Sequence, residues 1–271
     1  MTKHDPGPAF RALHQPGNPF ILANAWDQGS AKMLAALGAQ AIATSSGAQA
    51  FTLGRPDQGT ISRDEALSHA ADLVSATPLP VSGDFENGFG EAPETVAETV
   101  RLACEAGLAG ISIEDIALPS EAPYDFDLAV DRIRAAAAAA RNLPRDFVLV
   151  ARADGIMRDQ YDIDEALRRL KAFENAGADC LYAPFPKSFA DAKRICSEIK
   201  APVNALAAGQ FTKTSRAEFA SVGVARISIG AALARVTHQT ILDTAKPMFE
   251  AGDFSQLSNA LPADIVDKML S

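Results

Sequence analysis

Four times along the chain a helical stretch ends in glycine and a short apolar run follows within a few residues. Leu37-Gly38 leads to Ala41-Ile42-Ala43-Thr44, and Ala106-Gly107 to Ile111-Ser112-Ile113-Glu114. Ala176-Gly177 leads to Cys180-Leu181-Tyr182-Ala183, and Val222-Gly223 to Arg226-Ile227-Ser228-Ile229. Glycine lets a helix leave through the left-handed region, so each copy reads as helix, C-cap, strand. Pro80-Val81 and Pro202-Val203 open two more strands, since proline at a strand's first residue sacrifices no ladder bond. Phe20-Ile21-Leu22-Ala23 and Phe147-Val148-Leu149-Val150 complete eight runs, near 21, 42, 81, 112, 149, 181, 203 and 227. Between them lie stretches of helical period, such as Val96, Val100, Ala103, Gly107 and Ala166, Leu170, Phe173, Gly177. Strands alternating with helices imply right-handed βαβ units and a parallel sheet. Eight such units in 271 residues predict an α/β fold, a (β/α)8 TIM-type barrel. A doubly wound sheet normally carries a Gly-rich turn after its first strand, but Asn24-Ala25-Trp26-Asp27 stands there. No linker-like segment interrupts the pattern, so residues 1–271 read as one domain. The tail at 253–271, with a helix expected over 254–270, exceeds the barrel's complement.

The net charge of −9 and pI near 5.0 deny the chain the basic footprint of a nucleic-acid binder or of an anionic membrane surface. Its three cysteines, at 104, 180 and 196, show neither a disulfide framework nor zinc spacing. The first eight residues form no apolar signal region, and no run approaches the roughly 18 apolar residues of a membrane span. The expectation is a reduced, soluble, cytoplasmic protein.

Residues at the C-terminal ends of barrel strands converge on one mouth. Acids dominate those positions: Asp57, Asp84, Glu86, Glu114, Asp115 and Asp154. Converging carboxylates repel one another and either protonate or bind cations. Oxygen ligands without His or Cys select Mg²⁺, with Mn²⁺ the alternative, and Mg²⁺ keeps several of its waters. Asp84, Glu86 and Glu114, at adjacent strand ends, are the candidate metal set. Arg152 is the one cation at a strand terminus in this acidic ring, either a structural partner of Asp84 or Glu114 or a bidentate clamp on a substrate carboxylate. Ser45-Ser46-Gly47 can present backbone N–H groups to an anion, and Asn204 ends the seventh strand. His4 and His14 lie in the N-terminal segment, His69 and His238 in helical stretches, and the cysteines on apolar faces or near the barrel floor. Ser/His/Asp and Cys/His catalysis therefore fail on placement. Lys187 follows the sixth strand, but two prolines separate it from a Schiff-base position.

Asn24-Ala25-Trp26-Asp27, Thr44-Ser45-Ser46-Gly47, Leu53-Gly54-Arg55-Pro56-Asp57, Asp84-Phe85-Glu86-Asn87-Gly88-Phe89-Gly90, Gly110-Ile111-Ser112-Ile113-Glu114-Asp115 and Ala151-Arg152-Ala153-Asp154 resemble, in order and spacing, the isocitrate lyase/phosphoenolpyruvate mutase superfamily. The resemblance implies a Mg²⁺-dependent barrel acting on 2-oxo acids or their adducts. It also implies a C-terminal helix swapped between subunits, in dimers that often pair into tetramers. By position, Asp84 resembles the direct metal ligand. Asp57, Glu86 and Glu114 correspond to holders of metal-bound water, Arg152 to the carboxylate site, and Ser45 to Gly47 to the substrate's backbone and hydroxyl contacts. Two departures matter. Lyases of the superfamily carry Lys-x-Cys-Gly-His in the loop after the fourth strand, whereas residues 116–125 here hold no Cys, Lys or His. They also place a Glu after the sixth strand, where this chain reads Tyr182-Ala183-Pro184-Phe185-Pro186. Glu86 in place of the commoner Asp resembles the branch to which oxaloacetate decarboxylase-type members belong.

The candidate chemistries share a Mg²⁺-bound enolate, and they differ in what else they need. Cleaving a hydroxy acid requires a base and an acid, and the loop offers only Glu121, Tyr124 and Asp125, which read as solvated turn residues. Phosphoryl migration requires cations, and the loop supplies none. Decarboxylation requires neither. The expectation is a lyase that cleaves or decarboxylates a small 2-oxo or 2-hydroxy di- or tricarboxylic acid, with Arg152, Glu114 and Asp57 as its catalytic groups. Phosphonopyruvate or phosphoenolpyruvate P–C chemistry and non-catalytic 2-oxo-acid binding are the alternatives.

Overall fold

A computed structural model describes residues 5–271, so His4 lies outside the described residues. Eight parallel strands close into a barrel in chain order. They are β1 Phe20–Asn24, β2 Ala41–Ala43, β3 Val81–Asp84, β4 Gly110–Glu114, β5 Val148–Arg152, β6 Cys180–Tyr182, β7 Val203–Leu206 and β8 Arg226–Ser228. Pairing of Leu22 with Ser228 closes the ring. The helices are α1 Gly7–Leu13, α2 Gln28–Ala36, α3 Ser46–Thr52, α4 Arg63–Ala76, α5 Pro93–Glu105 and α6 Phe126–Arg141. They continue with α7 Ile163–Ala176, α8 Phe189–Glu198, α9 Arg216–Ser221, α10 Ala232–Ala251 and α11 Ala263–Leu270.

Local chemistry explains the boundaries. Gly38, Gly107, Gly177 and Gly223 adopt φ of +94°, +101°, +105° and +97°, the left-handed exits that the repeated motif requires. Reciprocal capping boxes start α2 at Asp27 and Ser30, α4 at Ser62 and Glu65, and α9 at Ser215 and Glu218. Within a strand, alternate residues face opposite ways. On β4, Ile111 and Ile113 pack outward into the helix layer with Val96 and Val100, while Ser112 and Glu114 line the cavity inside.

Helix α1, unforeseen in the sequence pattern, plugs the N-terminal end of the barrel. Phe10, fully buried, meets Phe20 and His14 edge-on at centroid distances of 6.1 and 4.8 Å. Arg11 pins the helix to Asp146 and Asp179, each at 2.7 Å.

The tail corrects the expected helix over 254–270. Gly252 ends α10 at φ +67°, a 3-10 turn covers Ser255–Asn259, and α11 begins only after Pro262. Proline drives the chain before it toward extended backbone, and Ala260 already stands at ψ 137°. Helix α11 lies against α2 of the same chain, where Lys32 Nζ donates to the Leu270 carbonyl at 2.7 Å. Along α10, Val236, Ile241, Leu242 and Phe249 are exposed. No described helix is long and apolar enough to cross a membrane.

Candidate active site

Asp84, the last residue of β3, is the centre of the mouth. Its Oδ2 accepts from the backbone N–H and the hydroxyl of Ser46, both at 2.9 Å. The Thr44 hydroxyl accepts the Asp84 backbone N–H at 2.8 Å. Ser46 and Gly47 therefore open α3, with Ser45 as N-cap, and the anion that the Ser46 N–H meets is Asp84 itself. Asn24, at the end of β1, ties the ring together: its amide donates to the Thr44 carbonyl at 2.7 Å and its Oδ1 accepts from the N–H groups of Ile229 and Gly230.

Arg152, ending β5, is held by three carboxylates. Its Nη1 meets Asp84 at 2.8 Å and Glu114 at 3.0 Å, while Nε and Nη2 form a bidentate pair with Asp154 at 2.9 and 2.6 Å. Burial works against its charge, yet Asp154, Glu114 and Asp84 hold the guanidinium well above its ordinary range. Burial likewise pushes Glu114 and Asp154 upward against the pull of Arg152.

Asp57 and Glu86 complete the acidic wall. A Cβ at Gly47 would stand 2.5 Å from Asp57 Oδ2, so glycine is what admits this carboxylate. Burial and the Asp84 charge raise Asp57. Glu86 adopts φ +46°, a strained backbone of the kind that collects at functional sites, and its Oε1 accepts the Gly59 N–H at 3.0 Å. Burial pushes Glu86 up to about 7, the Gly59 N–H opposing and Asp84 and Asp57 reinforcing the shift. Behind this turn the buried Arg132 of α6 donates to the carbonyls of Asn87, Gly90 and Glu91. Sequence reasoning missed that support.

Other placements differ from expectation. Asp115 turns away from the mouth, as the residue after an inward Glu114 does on a strand. It accepts from the Asp154 N–H at 2.7 Å and the Tyr161 hydroxyl at 2.8 Å, and pairs with Arg169. Tyr124 is not a solvated turn residue. It is buried under Arg132, whose guanidinium carbon lies 4.1 Å from the ring centroid, and its hydroxyl accepts from Asn87 at 2.9 Å. Asp125 caps α6. The loop at 116–125 carries no cation, but Arg158, from the 3-10 turn Asp154–Arg158 after β5, brings one to its edge. Arg158 pairs with Glu121 and donates to Gln58 at 3.2 Å. Asn204 faces inward with both polar ends engaged, accepting from Arg226 Nε at 2.8 Å and donating to the Ser228 hydroxyl at 2.9 Å. Lys187 sits outside, paired with Asp159.

Asp57, Asp84, Glu86, Glu114, Arg152 and Asp154 line a cavity of about 160 Å³, with Tyr182, Pro184, Leu206 and Met157 among its other walls. No three His, Cys, Asp or Glu side chains among the described residues stand at full metal-ligand spacing. Mg²⁺ does not require that, since it typically takes one or two carboxylates and keeps its waters. The donor chemistry fits a hard dication. Asp84 is the central carboxylate, Asp57, Glu86 and Glu114 surround it, and no His or Cys lines the cavity. Burial, reinforced by the neighbouring carboxylates, raises the three surrounding acids, and a dication would favour their charged forms.

A barrel with this acid-ringed mouth defines a class, and comparison with known proteins names the family. The phosphoenolpyruvate phosphomutase family profile matches residues 10–249, and the chain belongs to that family, within the isocitrate lyase superfamily. The 2-methylisocitrate lyase of Salmonella typhimurium is 36% identical across 67% of this chain, a match spanning 63% of the lyase. Oxaloacetate decarboxylase of Ectopseudomonas mendocina is 30% identical across 82% of this chain and 77% of its own. The crystal structure of a candidate lyase/mutase from Burkholderia cenocepacia superposes with a TM-score of 0.93 at 44% identity, covering 98% of this chain and 95% of that one.

Proposed function

We propose that this chain is a Mg²⁺-dependent carbon–carbon lyase acting on a compact 2-oxo or 2-hydroxy acid, by decarboxylation or by cleavage beside the oxo-bearing carbon. The observation that supports it is the all-oxygen acid ring around Asp84, closed by a single guanidinium, at the mouth of a barrel whose relatives include named lyases and a decarboxylase. Asp84 would hold the cation, with Asp57, Glu86 and Glu114 orienting its waters. When bound, Mg²⁺ supplies a Lewis acid that steadies the charge developing on the 2-oxo oxygen. With Asp84 and Glu114 turned to that cation, part of the Arg152 guanidinium would be available to a substrate carboxylate. Ser46 keeps Asp84 aimed, and Asn204 keeps the inner wall in place. No His, Cys or Lys lines the cavity. That favours decarboxylation, in which the electrons of the breaking C–C bond pass toward the oxo oxygen, CO₂ departs and solvent protonates the carbon left behind.

The test is a screen of 2-oxo and 2-hydroxy di- and tricarboxylates with Mg²⁺, reading pyruvate or glyoxylate release. Turnover that disappears with chelator is the expected result, and full activity in chelator overturns the reading. One observation favours a second reading: Arg158 supplies the rim cation that P–C chemistry needs. Phosphate release from phosphonopyruvate, with no C–C cleavage, would establish it. We also infer a cytoplasmic homo-oligomer, dimeric or tetrameric, in which a second copy covers the exposed apolar residues of α10 and the 253–271 tail exchanges or packs between subunits. The three unpaired cysteines suit a reducing compartment. A monomer at micromolar concentration in sedimentation overturns the assembly.

A further inference from the structure

The two guanidiniums inside the barrel are treated very differently. Adjacent-strand pairing runs from Glu114 to Arg152, Tyr182, Asn204, Arg226 and on to Phe20. One continuous row of inward side chains thus descends from the acidic mouth to the floor. Arg152, near its top, has three carboxylate partners. Arg226, near its bottom, is 3% exposed and has no carboxylate at ion-pair distance among the described residues. Its Nε donates to Asn204 Oδ1 at 2.8 Å, and its buried Nη1 has no hydrogen-bond partner. Arginine does not shed its proton in proteins, and an uncompensated buried charge is strongly destabilising. Burial works against this charge and Arg152 repels it, while Cys180, Tyr182 and the distant Asp84 act in its favour.

Arg226 also lines the cavity, together with the hydroxyl-bearing Ser82, Ser112, Tyr182 and Ser228. Besides the acids around Asp84, the cavity thus holds a buried guanidinium whose Nη1 has no partner, the group an anion would satisfy. Residues on the facing strands are small, Ala43, Ser82 and Ser112, which leaves room before the guanidinium. The cavity's 160 Å³ holds about five waters at ~30 Å³ each, the bulk of a compact acid.

We infer that Arg226 is the deep anion subsite of this cavity and takes the second carboxylate of a small dicarboxylic substrate whose 2-oxo end meets the acids around Asp84. The inference rests on the function proposed above and narrows it to dicarboxylates. Asn204 is then a positioning residue, holding Arg226 Nε while its amide is fixed by Ser228. A free anion such as chloride offers the same chemistry from another source. A buried water is the remaining competitor. His14 Nδ1 donates to the Phe10 carbonyl at 2.9 Å, which leaves Nε2 a bare acceptor without a partner, and a water could bridge it to Arg226.

The test is calorimetric titration of the Mg²⁺-loaded protein with oxalate, lactate and malate. Lactate and malate differ by one carboxylate. Malate should bind the wild type at least about tenfold more tightly than lactate, the scale of one charge-assisted contact. In Arg226→Met that advantage should fall below about threefold while oxalate affinity holds. Ligand-free Arg226→Met should melt within a few degrees of wild type, because removal of an unpaired buried charge offsets loss of the Nε donor to Asn204 Oδ1. If Arg226→Met does not fold, Arg226→Gln takes its place, and a crystal structure of the wild type with malate reads the contact directly. Malate preference surviving in a folded variant overturns the inference, as does equal loss of oxalate and malate. Chloride-dependent stabilisation that vanishes in the variant, without any malate preference in the wild type, assigns a free-anion site and overturns the substrate role. A water between Arg226 and His14 with malate bound elsewhere overturns it too. Failure of wild-type protein to bind oxalate with Mg²⁺ is a different result, because it removes the lyase reading.

Discussion

At the floor of the barrel, Phe10 and Phe20 enclose an imidazole that burial keeps neutral, pushed down to about 3. At the mouth, the same strands end in carboxylates that burial and mutual repulsion push upward. At the floor aromatic edges meet and Arg11 finds two aspartates, and the exceptions are the partnerless His14 Nε2 and Arg226 Nη1. The mouth leaves an excess of negative charge, a strained Glu86 backbone and a cavity. The floor is built chiefly by packing, with Arg226 its exception, and the mouth gathers several groups whose best partners are not side chains. In a (β/α)8 barrel this division follows from geometry, because the loops that vary chemistry all leave from the C-terminal strand ends.

The comparison breaks most visibly at Asp84 and Phe10. Asp84→Ala removes the central carboxylate, and Mg²⁺-dependent turnover should fall by at least about a thousandfold, since Lewis-acid stabilisation is worth several kcal/mol. Its melting temperature with chelator should move little, because one repulsive charge leaves the ring and Arg152 retains Glu114 and Asp154. Phe10→Ala should do the reverse. Deleting a fully buried ring costs about 3–5 kcal/mol of stability, visible in urea unfolding, while kcat/KM of the folded fraction stays within about twofold. A floor variant that loses activity without losing stability would dissolve the division.

Gly47→Ala sharpens it on a finer scale. The added methyl enters the space of the Asp57 carboxylate, 2.5 Å from Oδ2, so Asp57 must withdraw. A displacement of about 1 Å at a catalytic group can cost on the order of a hundredfold in rate. We expect that loss in kcat/KM, together with weaker Mg²⁺ binding by calorimetry and near-normal stability. Unchanged Mg²⁺ affinity would mean that Asp57 does not serve the metal.

How much of this was legible in the sequence follows the same division. The eight strands and the acids at their ends could be read because each depends on local rules: a glycine exit, a proline entry, a short apolar run. The floor could not. Nothing in residues 5–14 marks α1 as a plug, since its role depends on Arg11 meeting Asp146 and Asp179 across more than a hundred residues of chain. Tyr124 read as a turn residue because the sequence does not show Arg132 folding over it. Arg226 read as the opening of an apolar run, and its inward direction emerged only from strand register. The tail read as one helix because its apolar residues recur, but Pro262 divides it. Periodicity finds elements, and what an inward polar residue meets is settled by the closure of the barrel.

The smallest expected effect concerns pH, where the two ends should carry opposite signs. Glu86 is raised in the fold to about 7 from an ordinary value near 4.5. The folded, metal-free protein therefore holds a proton that the unfolded chain has already released. That contribution is complete below the unfolded value and is lost as pH rises through about 7. In chelator, stability should decline by about 1–3 kcal/mol between pH 6 and 8. Asp115, raised to about 6, adds the same sign slightly lower, and Glu86→Gln isolates the Glu86 share by flattening the upper part. His14 runs the other way. Its folded value is depressed to about 3 from 6.5, so its contribution is present above pH 6.5 and is lost as pH falls toward 3. Mg²⁺ should invert the slope at the mouth, because its ligands bind best deprotonated and its affinity rises with pH. Thermal melts at pH 5, 6, 7 and 8, with chelator and with Mg²⁺, measure both. A flat chelator profile from pH 6 to 8, or one that Glu86→Gln leaves unchanged, would show that the carboxylates at the mouth are already compensated within the protein, and the contrast between the two ends would no longer rest on charge.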